Sequence, residues 1–110
     1  MSILESLMNV IAERKTNPPA RRSYVVSLLE GGVGKVGEKV LEEAAEVVEA
    51  AAEPGEEGKD HLAREAADLV FHTMVMLGLR DIPWSAVEAE LGRRFGIGGF
   101  DEKAARPPKV

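Results

Sequence analysis

The sequence predicts an all-α domain of four to five helices, an antiparallel bundle completed by homodimerisation. Three observations carry that expectation. The chain is 45% hydrophobic and 30% charged but only 5% aromatic, and its richness in Ala, Glu, Leu and Val favours helices over a β-sandwich. Apolar residues recur at helical spacing along most of its length. Glycine and proline clusters fall between the periodic stretches, where connections belong. At 110 residues residues 1–110 form a single domain, which buries only about two-thirds of its unfolded surface, so part of the core is expected in an interface between copies.

The elements follow in order. Over residues 2–15, Ile3, Leu4, Leu7, Val10 and Ile11 line one helical face, and Asn17-Pro18-Pro19 closes it because a proline disfavours helix in the residue before it. Ser23 is a plausible N-cap for a short helix to about Leu29. Gly31, Gly32 and Gly34 then break the chain, and a longer helix runs from about Val33 to Ala52. The polar stretch 53–60, EPGEEGKD, reads as a connector. A helix over 62–79 follows, Asp81-Ile82-Pro83 opens another that reaches about Phe95, and residues 96–110 read as an irregular tail rich in Gly and Pro.

Composition excludes several functions. A formal charge of −5 opposes sequence-independent binding to a nucleic-acid backbone, which needs clustered Lys and Arg. The chain has no cysteine, which removes disulfides, thiolate metal sites and cysteine nucleophiles, and leaves oxygen ligands, His61 or His72 for any metal. No apolar run approaches the roughly 18 residues of a membrane span, and the N-terminus lacks the basic start of a signal peptide. A cytoplasmic protein is expected, with no nucleic-acid or membrane partner.

The run GGVGKVGEK resembles a phosphate loop only superficially. Five positions before Gly34 stands Leu29 rather than glycine, Val36 rather than Ser or Thr follows Lys35, and no strand pattern precedes it. A P-loop requires all three, so the segment is a helix-breaking turn.

The acids downstream carry more. At about 100° per residue, Glu42, Glu43 and Glu46 share one arc, with Val36, Val40, Ala44, Val47 and Ala51 placed opposite. Taken alone this could be a solvated face. The next helix, however, is apolar nearly all round from Ala66 to Leu79, and a buried helix bearing Glu65 and Asp68 must pair or ligate them. Spacing of i, i+3 aims those two at one locus, and a short connection makes the helices antiparallel neighbours, bringing Glu43 and Glu46 opposite. Four facing carboxylates repel strongly unless something positive lies between them. Lys35 and Lys39, on the acidic side, are one source; a divalent cation is the other, and oxygen-only ligands point to Mg²⁺, with Mn²⁺ possible, rather than zinc. His72, on the same stripe, is a candidate substrate-binding residue, the alternative being a hydrogen-bonded core histidine. His61 carries no signal.

LEEAAEVVEA followed by REAADLVFH resembles the Glu-Glu-x-x-Glu, spacer, Glu-x-x-Asp signature of the all-α nucleoside-triphosphate pyrophosphohydrolases, the MazG-like superfamily. Within it the chain is most similar to the phosphoribosyl-ATP pyrophosphohydrolase family, in a stand-alone form. Ser23-Tyr24, the run Gly32, Lys35 and Lys39, the segment Asp68, Leu69 and His72, and the closing Glu102, Lys103 and Arg106 match that family. Where the family has glycine before the paired glutamates, this chain has Leu41.

The resemblance implies hydrolysis of phosphoribosyl-ATP to phosphoribosyl-AMP and pyrophosphate, the second step of histidine biosynthesis. It implies Glu43, Glu46, Glu65 and Asp68 as ligands of Mg²⁺ and Glu42 as the residue that positions or deprotonates the attacking water. Lys35 and Lys39 would hold phosphates, and Lys103 and Arg106, with Arg14, Arg21 and Arg22, would meet the phosphoribosyl phosphate. Two alternatives stand beside it: a housekeeping pyrophosphohydrolase acting on non-standard nucleotides, and a non-catalytic helical dimerisation module.

Overall fold

The computed structural model describes residues 2–21 and 23–96, and these fold as four helices with no strand among the described residues. The all-helical class expected from composition and periodicity is therefore the class found.

Helix α1 (Ile3–Thr16) begins in a capping box: the Glu5 N–H donates to Ser2 Oγ at 3.1 Å and the Ser2 N–H to Glu5 Oε1 at 2.9 Å. Two otherwise orphaned donors are satisfied reciprocally. Its inward face carries Met8 and Ile11. Helix α2 (Tyr24–Ala51) is capped by Ser23, whose Oγ accepts from the Val26 N–H at 3.1 Å. It is two helical arms joined at Gly32, where φ is 73° and ψ is −167°. That region is open to glycine and closed to other residues, so the break expected among the three glycines sits at the middle one.

Helix α3 (Gly55–Leu79) starts well before the expected position, and the connector shrinks to three residues, 52–54. The stretch 55–60 looks like a turn because it is polar and contains two glycines. Pro54 nevertheless stands at the N-cap, Glu56 and Glu57 occupy the first turn where the helix dipole favours acids, and Lys59 pairs with Glu56 at 3.1 Å. Helix α4 (Trp84–Phe95) ends at Gly96 in the left-handed conformation, the common helix stop.

α2 and α3 share the largest interface, with α1 packed across both and α4 against α1. They are antiparallel: Gly37, midway along α2, lies beside Met76, late in α3, while Glu43 further along α2 lies near Glu65, earlier in α3. The core consists of Met8, Ile11, Val25, Leu28, Val36, Met74 and Val75. α1 approaches α3 closely at Gly78, where a Cβ would stand 2.7 Å from Ile11 Cγ2. Lys15 fastens the same crossing. Its ammonium donates to the carbonyls of Gly78 and Leu79 at 3.0 and 3.2 Å and to Asp81 Oδ1 at 2.8 Å, satisfying the open C-terminal end of α3. Among the described residues no helix is long and apolar enough to cross a membrane.

Candidate active site

The hairpin of α2 and α3 places the acids. On α2 the inward line runs through Val36, Glu43 and Ala50, all buried. This differs from the helical-wheel expectation, which set Glu43 opposite the apolar side. The spacing of seven residues keeps these three in register along one stripe, and α3 packs on that stripe, so Glu43 enters the interface at 7% exposure. Glu46 lies one turn on and is half-buried. Glu65 projects from α3 with its side chain only 15% exposed.

One carboxylate oxygen from each of Glu43, Glu46 and Glu65 lies within 4.8 Å of the other two. Two buried oxygens, Glu43 Oε1 and Glu65 Oε1, have no hydrogen-bond partner. Buried polar atoms are nearly always partnered, so two orphaned oxygens on acids of one cluster mark a place where a positive group fits. The donors are all hard oxygens, suited to a magnesium-like cation. Asp68 stands apart from the tight trio. It is exposed at the rim in the single chain, though near enough for its charge to act on Glu43. The buried position expected for Asp68 is not found, because the outward side of α3 near Ala63, Arg64 and Ala67 is uncovered.

The electrostatics agree with the crowding. Burial first, then contact with Glu65 and the charges of Glu46 and Asp68, pushes Glu43 up to about 7. Contact with Glu65 raises Glu46, while Glu65 is lowered by its contacts with Glu43 and Glu46. Two ionised carboxylates have no donor between them. The close approach becomes a hydrogen bond only when one acid keeps a proton.

The other candidates take varied positions. Lys39 pairs with exposed Glu42 at 2.8 Å rather than with a member of the trio. That bond raises the Lys39 ammonium above its usual value, against a smaller opposing effect of burial. Lys35 is exposed. His72 is buried at 4% exposure: its Nδ1–H donates to the Asp68 carbonyl at 2.8 Å and its Nε2 meets the Tyr24 hydroxyl at 2.8 Å, so both ring nitrogens are engaged inside the protein. Tyr24 also stacks on Phe71, with ring centroids 6.1 Å apart. Lys103 and Arg106, like Arg22, lie outside the described residues.

His61 was missed by sequence reasoning. It bridges Glu53 Oε1 at 2.9 Å and Glu65 Oε2 at 3.2 Å. Its i, i+4 spacing to Glu65 was visible, but only a helix begun at Gly55 makes that spacing a contact.

Fold and site together define a small all-helical protein with an interhelical carboxylate centre. The model of the family described as phosphoribosyl-ATP pyrophosphohydrolase matches residues 4–95. A phosphoribosyl-ATP pyrophosphatase of Rhodopirellula baltica is 44% identical over 106 residues, covering 96% of this chain and 88% of that protein. One from Trichlorobacter lovleyi is 51% identical over 105 residues, covering 94% and 93%, and one from Geobacter metallireducens is 48% identical over 106 residues, covering 96% and 93%. The chain belongs to the phosphoribosyl-ATP pyrophosphohydrolase family.

Proposed function

We propose that this protein hydrolyses phosphoribosyl-ATP to phosphoribosyl-AMP and pyrophosphate, a step of histidine biosynthesis. The observation that carries the reading is the convergence of Glu43, Glu46 and Glu65 with two buried, unpartnered oxygens, in a chain whose relatives bear that substrate in their names.

Glu43, Glu46 and Glu65, with Asp68 at the rim, would hold Mg²⁺, or Mn²⁺ in its place. Bound there, the cation would supply charge neutralisation between the acids and a triphosphate and would polarise phosphoryl oxygens. The chain's own residues do the rest. Glu42, exposed on the turn beside Glu43, orients or deprotonates the attacking water, a task that needs a carboxylate within reach through one water. Its partner Lys39, together with Lys35, meets phosphate oxygens; substrate arrival would then free Glu42 from its ion pair. His72 contributes by fixing the Tyr24 hydroxyl, its own nitrogens being engaged. Lys103 and Arg106, outside the described residues, are the residues proposed to meet the phosphoribosyl phosphate. A lysine-neutralised structural network is disfavoured, because Lys39 pairs with Glu42 rather than with the trio.

A homodimer belongs to the same proposal. Val33, Leu41 and Val48 recur on the outer face of α2 at 60, 75 and 71% exposure, spaced as one apolar stripe, and a second copy would cover it.

The test is pyrophosphate release from phosphoribosyl-ATP beside ATP and non-standard nucleoside triphosphates, with and without Mg²⁺. Magnesium-dependent turnover selective for phosphoribosyl-ATP is expected. Equal turnover of the other triphosphates would shift the assignment to a housekeeping enzyme. Absence of both turnover and stabilisation by Mg²⁺ would leave a non-catalytic module.

A further inference from the structure

His61 lies on the second turn of α3, one turn before Glu65, with its side chain about one-third exposed. Both ring nitrogens face carboxylate oxygens, Nδ1 at 2.9 Å from Glu53 Oε1 and Nε2 at 3.2 Å from Glu65 Oε2. An ionised carboxylate only accepts hydrogen bonds, so the ring nitrogen facing Glu65 serves the bridge as a donor. Glu53 stands just past the end of α2. The bridge therefore ties the turn between the two helices to one oxygen of the carboxylate centre.

The consequence lies in the other oxygen. Engaging Oε2 restricts the Glu65 carboxyl group, which lies in the carboxylate centre with Glu43 and Glu46, and leaves Oε1 buried and without a partner, as Glu43 Oε1 is. A glutamate on a helix has three torsions to restrict before it can act as a ligand, and a donor at one oxygen restricts them in advance. The nearby lysines pair elsewhere: Lys39 goes to Glu42, and Lys59 to Glu56.

We propose that His61 is a positioning residue for the carboxylate centre, donating to Glu65 Oε2 so that Oε1 is presented to a divalent cation, while Glu53 holds the far side of the ring. This rests on the metal site of the proposed function. Loss of such an outer partner typically weakens metal binding by about 10–100-fold.

The experiment is titration of the full chain with Mn²⁺ alone, followed by electron paramagnetic resonance of the free ion, for the wild type and for His61→Ala, His61→Gln, Glu53→Gln and Glu46→Gln. His61→Ala should bind Mn²⁺ about 10-fold or more weakly while its metal-free circular dichroism matches the wild type. His61→Gln, which restores an N–H donor but not the bridge, should recover part of that loss, and Glu53→Gln should weaken binding less than His61→Ala does. Wild-type affinity in His61→Ala, or a Gln variant no better than Ala, overturns the inference. Should His61→Ala not fold, Glu53→Gln decides, since it leaves the imidazole in place: unchanged affinity there counts against the bridge. The underlying reading fails separately, through a wild type that takes up no Mn²⁺ or a Glu46→Gln variant that binds as well as the wild type.

Discussion

Glu43 sits where two requirements on one residue conflict. Packing of α3 on α2 buries it, which favours the neutral acid, while its proposed role as a metal ligand requires the ionised form. Its carboxyl is pushed from the usual 4.5 up to about 7. In the metal-free protein the folded state thus keeps a proton that the unfolded chain has released between those values. Stability is fully present below about 4.5 and is lost as pH rises through about 7. Glu46 shifts in the same direction, and Glu65, lowered, acts only below that window. In chelator, the melting temperature should therefore fall between pH 5 and 7, and Glu43→Gln should flatten most of that fall; differential scanning calorimetry checks both. Added Mg²⁺ should stabilise the wild type more at pH 8 than at pH 6, since the ligands are then already ionised. Asp68, at the rim, can be changed with little effect on packing. Asp68→Asn should keep the helical circular dichroism and melting temperature yet lower magnesium-dependent pyrophosphate release by more than about 100-fold, beyond the usual range for outer partners. Near-normal turnover would remove it from the ligand set.

The elements explain why these residues meet. Gly32 gives α2 its break, with a backbone conformation of φ 73° and ψ −167° and no side chain near enough to obstruct a Cβ. A Gly32→Ala variant should thus lose about 1–3 kcal/mol from backbone strain alone, measured by urea denaturation, and a loss near zero would mean the two arms can merge into a straight helix. The break was legible in the three neighbouring glycines; which of them turns was not. The start of α3 was obscured because turn composition and a polar first helical turn look alike in sequence. That error concealed His61, since a residue placed in a connector has no i+4 neighbour. Glu65 was legible because charge on an otherwise apolar helix needs compensation, and Glu43 and Glu46 because a short connection between the helices sets their stripe opposite it. The burial of Glu43 was not: a wheel ranks faces by composition, whereas the partner helix selects the face that is covered.

At the scale of the whole molecule, the exposed line Val33, Leu41 and Val48 leads to a prediction about assembly. Light scattering at micromolar concentration should give twice the chain mass, and Leu41→Glu combined with Val48→Glu should give a monomer that remains helical. A wild-type monomer would mean that α2 tolerates its apolar stripe in water. The sequence by itself determined the helical class, the approximate segments, the acidic signature and the family, because periodicity, capping and residue type are local properties. Only the tertiary structure decided which acid is buried and that Asp68 stands at the rim. Each depends on how two helices pack against one another, and that packing is set by side chains far apart along the chain.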